Sequence, residues 1–239
     1  MPRFPMPLPS TMKFALSVIA FILAALIIPF FIPGSGVQQG VDPNSNLPWQ
    51  IQLDGQGGSQ VFGLQPGVST LAEVRGRLGA EPEVAIVAAP NEDGAVEAYY
   101  SQVALGFVLA KVVLTVDVPA AEISAMRARA SKAQFMESTT VKIRLQADDL
   151  ARVDQAPVKA LSVIPTVNLD EATIIQRFGQ AAERLVVSDK QVHLLYPAHG
   201  LDIILDGAGK ELLQYVAPRD FPALVAPLHQ ALAAEGKPQ

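Results

Sequence analysis

The chain has 239 residues, a formal net charge of −5 and no cysteine. The lack of cysteine excludes disulfides, thiol nucleophiles, iron–sulfur clusters and thiolate zinc sites. No basic patch is available to neutralise phosphates, which argues against a nucleic-acid partner. Half of the residues are apolar, so the composition predicts one membrane segment and an ordered core rather than a disordered chain.

An uncharged segment near the N-terminus predicts a transmembrane helix. Residues 14–32 read FALSVIAFILAALIIPFFI, and as a helix they would span about 28 Å, close to the roughly 30 Å of a bilayer core. Arg3 and Lys13 precede the segment, and the next basic residue is Arg75. By the positive-inside rule, residues 1–13 are then cytoplasmic. This predicts a single-pass inner-membrane protein that contacts lipid through residues 14–32 and carries a periplasmic C-terminal domain.

Two other interpretations of this segment stay open. A cleaved signal peptide has a shorter apolar region, of about 7–15 residues, and small residues before its cleavage site. Phe30, Phe31 and Ile32 stand in that place, so we expect an uncleaved signal anchor. The remaining interpretation is a buried helix of a soluble domain, although such a helix normally shows a polar face.

Residues 33–58 are rich in Gly, Pro, Gln, Asn and Ser, a composition typical of a flexible linker. Trp49 interrupts this pattern. A tryptophan at this place either lies at the membrane interface or packs on the folded domain.

A first α/β unit is predicted over residues 59–155. Thr70 and Glu73 have the spacing of a capping box, and Gly79 stands where the short helix should end. The later elements are strand patterns at 84–89, 96–100, 106–118 and 139–145, and helix patterns at 120–133 and 148–153.

A second α/β unit is predicted over residues 156–220. Asp170 begins a helix that ends at Gly179, which lies 100 residues after Gly79. Strand patterns follow at 184–187, 191–196, 201–205 and 212–216, and the last two form a hairpin through Asp206-Gly207-Ala208-Gly209. The repeated order indicates an internal duplication, with chance similarity of two short helices as the alternative.

Residues 221–239 predict a C-terminal helix and tail. Its apolar residues share one face, which either packs on its own domain or docks a partner or a membrane surface (Phe221, Leu224, Val225, Leu228 and Leu232). The predicted fold class is therefore α+β. An N-terminal transmembrane helix is followed by two small two-layer units, each with a helix packed on an antiparallel sheet.

Residues 67–79, Gly-Val-Ser-Thr-Leu-Ala-Glu-Val-Arg-Gly-Arg-Leu-Gly, with Pro82 beyond them, resemble the start of the SmpA/OmlA family of small outer-membrane lipoproteins. Tyr99-Tyr100 is similar to the family's aromatic strand, and residues 205–212 are similar to its closing hairpin. The resemblance implies a two-layer α/β fold with a non-catalytic, protein-binding role. The chain departs from the family in lacking the lipid-bearing cysteine and in having one extra residue before Thr70 and another before Pro82.

No catalytic, cofactor-binding or metal-binding residue is predicted. The three histidines, His193, His199 and His229, lack the spacing of a zinc site. The run Gly207-Ala208-Gly209-Lys210 lacks the other residues of a phosphate-binding loop and is predicted to be a hairpin turn. Adjacent acids stand at turns or helix starts, where carboxylates cap backbone amides (Glu92/Asp93, Asp148/Asp149 and Asp170/Glu171).

The leading functional hypothesis is a membrane-anchored protein-binding or scaffolding module of the bacterial cell envelope. It would contact another envelope or membrane protein through sheet edges or helix faces. One alternative is a membrane-tethered hydrolase with a site built from Asp202, Asp206, His193 and His199. Another is an accessory subunit of a membrane complex, since small residues in the apolar helix would allow close helix packing (Ala15, Ser17, Ala20, Ala24 and Ala25).

Overall fold

The structure, a computed structural model, describes residues 45–79, 81–89, 92–130, 133–135, 140–207 and 209–234. The helices are α1 (Leu71–Leu78), α2 (Ala120–Arg129), α3 (Ala147–Val153), α4 (Glu171–Phe178) and α5 (Phe221–Ala234). The strands are β1 (Gln52–Leu53), β2 (Ser59–Gln60), β3 (Glu83–Ala88), β4 (Ala95–Leu105), β5 (Val108–Val116), β6 (Ala133–Phe135), β7 (Val141–Arg144), β8 (Val158–Pro165), β9 (Glu183–Val186), β10 (Gln191–Tyr196), β11 (Leu201–Asp206) and β12 (Leu212–Val216).

The helices overturn the predicted membrane topology. Among the residues that the structure describes, every helix is too short or too polar to cross a membrane. The predicted span at 14–32 and the predicted cytoplasmic segment at 1–13 lie outside those residues. The assignment as a single-pass inner-membrane protein, with its transmembrane helix, signal anchor and periplasmic domain, conflicts with this finding and is withdrawn.

One antiparallel sheet contains ten of the strands, in the order β6-β7-β3-β4-β5-β8-β12-β11-β10-β9, and β1 and β2 form a separate pair. The prediction of two small units with separate sheets is therefore wrong. The reason is β8, which falls in residues that carried no strand prediction. It pairs with β5 on one side and with β12 on the other, so the sheet continues through both halves of the chain.

The two halves of the sheet have the same order of elements. In the first half, α1 is followed by the four-stranded meander β3-β4-β5-β8, and in the second half α4 is followed by β9-β10-β11-β12. The first half alone carries an insert between its third and fourth strands, made of α2, β6, β7 and α3. Within that insert, β7 pairs with the outer side of β3 and β6 pairs with β7.

The main core lies on the sheet face that carries α1 to α4. The strands alternate buried and exposed residues, as β5 does with Val112 and Leu114 directed inward, because only one face of an antiparallel sheet needs to be apolar. Leu71 and Val74 of α1 and Ile174 of α4 belong to the same buried cluster. The expected capping box at Thr70 is confirmed, and Gly79 ends α1 in the left-handed conformation with φ of 68°.

The segment that precedes α1 covers this core where the two halves meet. Phe62 is buried, and its ring lies 5.5 Å from that of Tyr215 in an edge-to-face contact. The Tyr215 hydroxyl donates a hydrogen bond to the Pro48 carbonyl oxygen at 3.0 Å. Residues 45–64 are therefore fixed to the central strands of the sheet rather than to one half alone.

Trp49 packs on the domain, which was one of its two predicted placements. Its ring centroid lies 6.0 Å from that of Phe107, at the tip of the β4–β5 hairpin, and 6.2 Å from that of Phe178 at the end of α4. The Arg177 guanidinium lies over the ring at 4.9 Å, which is within the range of a cation–π interaction.

The other face of the sheet is covered in part by α5. Phe221, Val225 and Leu232 are buried against Leu185 and Leu195 of the second half. The apolar face of the C-terminal helix therefore packs on its own domain, as one of the two alternatives predicted. Pro227 lies inside α5 on its exposed side.

We expect Tyr215→Phe to destabilise the domain by about 1–2 kcal/mol, because the buried Pro48 carbonyl would lose its hydrogen-bond donor. Urea unfolding measures the change, and limited proteolysis should show earlier cleavage within residues 45–64. Tyr99→Phe is the matched control, since the Tyr99 hydroxyl has no hydrogen-bond partner among the described residues. Equal stability of the two variants would contradict a role for the Tyr215 hydroxyl in holding this segment.

Candidate functional site

The structure places three of the four groups of the predicted hydrolase site on one face of the sheet. His193 lies on β10, and Asp202 and Asp206 flank it on β11, one on either side of its cross-strand neighbour Ile204. The Nδ1 atom of His193 lies 2.8 Å from Oδ2 of Asp202. This contact orients the imidazole as a carboxylate does in many catalytic and metal sites.

The His193–Asp202 pair lies on the sheet face against which helix α5 packs. Leu195, which is the cross-strand neighbour of Asp202, belongs to the cluster that packs against α5. The exposed fraction is only 8% for His193 and 3% for Asp202, so neither side chain is open to a substrate in this structure. The contact with His193 satisfies Oδ2 of Asp202, whereas Oδ1 is buried and has no hydrogen-bond partner among the described residues.

His199 does not join the other groups. It lies in the 3₁₀ turn Pro197–His199 after β10, and its ring stacks on Tyr196 with centroids 6.3 Å apart. Tyr196 belongs to the core on the opposite face and donates its hydroxyl hydrogen to the Gly179 carbonyl. The four predicted residues are thus divided between the two faces of the sheet.

The acidic pairs have structural roles. Asp170 accepts a hydrogen bond from the Thr173 amide at 2.8 Å, and hydrogen bonds from Thr173 lower the pKa of Asp170. The Arg184 guanidinium binds Glu171 at 2.9 Å and lowers the pKa of that carboxyl. These contacts confirm the capping role that was expected of Asp170 and attach the start of α4 to β9.

Asp149 departs from the expected capping role. Its buried carboxylate accepts hydrogen bonds from Nε and Nη2 of Arg129, a bidentate contact that joins α3 to α2. Hydrogen bonding to Asp149 raises the pKa of Arg129. The neighbouring acids Glu92 and Asp93 contribute backbone carbonyls, which accept hydrogen bonds from Nη1 of Arg127 at 2.7 Å.

The first surface feature that could bind a partner is the open edge of the sheet at β9. Among the described residues, β9 pairs with β10 and with no strand on its other side. Val187 donates its amide hydrogen to the Gln191 carbonyl at 3.0 Å. By the alternation of an antiparallel ladder, the backbone amides and carbonyls of Arg184 and Val186 then point away from β10. The Val186 side chain is 51% exposed.

The second surface feature is a notch at the other end of the sheet. Because β7 ends at Arg144, opposite Ala85, it leaves Glu83 and Val84 of β3 without a partner on that side. A groove with a volume of about 730 Å³ opens at this notch between α1, α3 and the short strands β6 and β7. This volume is within the range of pockets that bind small molecules or side chains.

Ion pairs occupy most of the charged groups that line the notch groove. Arg75 of α1 binds Glu81 at 2.7 Å through Nη1, and its Nη2 lies 3.1 Å from Asp154. Lys142 of β7 lies 2.5 Å from Glu83 of β3. The carboxylates of the groove are therefore all engaged by cations.

Two hydrogen-bond donors of the groove, on Arg75 and Arg144, remain unused, and so does the hydroxyl of Tyr100, which does not line the groove. The Nε atom of Arg75 and the hydroxyl of Tyr100 are buried and have no hydrogen-bond partner among the described residues. Arg144, at the mouth, has no ion-pair or hydrogen-bond partner in the same part of the chain. Burial raises the pKa of Tyr100 to about 12, Arg75 opposes this shift, and Glu81 and Asp154 add to it.

Comparisons with protein-family models, with curated proteins and with solved structures find no match to the chain. The resemblance to the SmpA/OmlA family therefore stays a prediction, and no family is assigned.

Neither surface feature was predicted from the sequence. The pattern at 184–187 indicated a strand but carried no information on whether the strand would be outermost. The available signal was the run Leu185-Val186-Val187, which contains no charged residue and no proline. Charged residues and proline usually protect an edge strand from pairing. The sequence around Arg144 did not indicate the notch groove, because basic residues are common at the ends of alternating strands.

We expect the stability of the protein to fall above pH 10 in a way that depends on Tyr100. The unfolded side chain titrates near its ordinary pKa of 10.0, whereas the folded one titrates near 12. The neutral form therefore stabilises the folded state fully below pH 10, and this contribution is lost as the pH rises through 12. Urea unfolding between about pH 9 and pH 12 should show a steeper loss of stability for the wild type than for Tyr100→Phe.

The same experiment has an internal reference at neutral pH. Phenylalanine removes a buried hydroxyl that lacks a partner, so Tyr100→Phe should be at least as stable as the wild type near pH 7. Parallel stability curves for the two proteins above pH 10 would show that Tyr100 is not the group that titrates late.

Proposed function

We propose that the protein is a non-catalytic protein-binding module that adds an extended segment of a partner protein to the open edge of β9. The observation that carries this proposal is that the outer edges of β3 and β9, which occupy matching places in the two halves, differ in their strand pairing. In the first half of the sheet, β7 pairs with the outer side of β3, whereas in the second half no described strand pairs with the outer side of β9. The pairing of β7 with β3 is therefore an example, within the same sheet, of a strand added to such an edge.

The edge of β9 has the properties of a strand-binding surface. Two residues direct their backbone donors and acceptors outward, and each main-chain hydrogen bond to a partner contributes a net free energy of about 0.5–1.5 kcal/mol. Edges that must stay unpaired are usually short or protected by charged side chains, proline or a bulge. Strand β9 is short and begins with the charged residues Glu183 and Arg184, but Arg184 is paired with Glu171, and the residues after it, Leu185-Val186-Val187, include no charged residue and no proline. This apolar end of the edge favours main-chain recognition of the kind used by domains that bind an extended peptide as an added strand.

The pairing of β7 with β3 indicates the chemistry of the partner segment. Ile143 of β7 lies opposite Ile86, which is fully buried. Val186 stands at the matching place in β9 and is half-exposed. A partner strand that runs antiparallel to β9 and places an apolar residue opposite Val186 would bury this side chain, as Ile143 buries Ile86.

The hydrolase alternative receives no comparable support. It requires His193 and Asp202 to meet a substrate, but both are buried, and His199 stacks on Tyr196 of the core on the other side of the sheet.

We expect Val186→Pro to weaken partner binding by at least about tenfold, because proline removes an outward amide and disfavours strand addition. The partner is first identified by photo-crosslinking from position 184 in native cells and mass spectrometry. It is then purified, and its Kd is measured by titration calorimetry with the wild type and the variant.

Val186→Ala is the matched control, since it shortens the same side chain but keeps the amide. If main-chain hydrogen bonds carry the interaction, its Kd should rise by less than about fivefold. Urea unfolding checks that both variants stay folded. An unchanged Kd for Val186→Pro would remove the β9 edge from the proposal.

A further inference from the structure

The notch groove lies at the opposite end of the sheet from β9 and has a chemistry of its own. Its lining combines three cationic side chains, Arg75, Lys142 and Arg144, with two carboxylates, Glu81 and Glu83. The lining itself thus has one more cation than anions, and the carboxylate of Asp154, which does not line the groove, pairs with Arg75 from beside it. The groove shares no lining residue with β9.

The charged groups of the groove that remain without a partner are donors. The carboxylates of Glu81 and Glu83 are engaged by Arg75 and Lys142, whereas the Nε–H of Arg75 and the guanidinium of Arg144 have no partner among the described residues. A buried N–H without an acceptor costs free energy that a ligand acceptor would recover. The ligand that completes this site is accordingly an acceptor with negative charge.

We infer that the notch groove binds a carboxylate group of a peptide, held by Arg75 and Arg144. A guanidinium presents its N–H groups in a planar fork that matches the two oxygens of a carboxylate. A monoanion suits this place better than a phosphate dianion, which would bring a second negative charge close to the carboxylates of Glu81, Glu83 and Asp154. The carboxylate belongs either to a chain terminus or to an Asp or Glu side chain, and both present the same group.

The test follows the Arg Nε–Hε signals of ¹⁵N-labelled protein by NMR during titration with three short peptides. N-acetyl-Ala-Ala carries a free terminal carboxylate, N-acetyl-Ala-Glu-Ala-amide carries a side-chain carboxylate, and N-acetyl-Ala-Ala-amide is neutral. We expect saturable shifts of the Arg75 and Arg144 signals with one or both charged peptides and no saturable shift with the neutral peptide. The charged peptide that binds more tightly identifies the source of the carboxylate.

Arg144→Gln should raise the Kd of the charged peptide by at least about tenfold, because it removes the guanidinium at the mouth of the groove. Arg152→Gln is the matched control, since Arg152 is an exposed arginine that pairs with Glu122 away from the groove, and its Kd should stay within about twofold of the wild type. Because Arg144 is exposed, its replacement should not affect folding, which urea unfolding checks.

Three results would overturn the inference: no saturable shift with either charged peptide, equal affinities for Arg144→Gln and the wild type, or tighter binding of inorganic phosphate than of either peptide. Val186→Pro should bind the charged peptides as the wild type does. Failure at the notch groove can therefore be told apart from failure of strand addition at β9.

Discussion

The pairing of β8 with β12 is the contact on which the rest of the fold depends. In this ladder, Leu161 lies opposite Tyr215 and Val163 opposite Leu213, and all four side chains are buried. Without it, each half would expose a strand edge and the end of its apolar face. Because the ladder is continuous, α1 and α4 cover one shared core. The hydrogen bond from Tyr215 to the Pro48 carbonyl holds the preceding segment over the place where the two halves meet.

The two candidate binding features both follow from the single insert in the first half. The insert supplies β7, which fills the outer edge of β3 over Ala85–Ala88. The second half has no insert of this kind between β11 and β12, so no strand of the described part of the chain fills the matching edge of β9. Since β7 is also too short to reach Glu83 and Val84, it leaves the notch that becomes the groove. The length and presence of one strand therefore determine where both ends of the sheet can bind.

Local chemistry was readable from the sequence, and long-range pairing was not. The cap at Thr70, the glycine at Gly79 and the hairpin between β11 and β12 depend on neighbouring residues and were predicted. Strand β8 was missed because Pro157 and Pro165 stand at its two ends and imitate a loop. Its partners, β5 and β12, are each about 50 residues away, and no local pattern records such a pairing. The open edge and the notch were missed for the same reason, since each is defined by the lack of a neighbouring strand among the residues that the structure describes.

The same contacts that hold β9 in the sheet also favour the proposed pairing with a partner strand. On one face, Arg184 is fixed to Glu171 at the start of α4. On the other face, Leu185 is buried under α5, and Glu183 lies 3.5 Å from His229 of that helix. An edge strand held from both faces loses little further conformational freedom when another strand pairs with it, so more of the interaction energy remains as affinity. A short edge with only two outward-facing residues can thus suffice for recognition, because the helices have already ordered it.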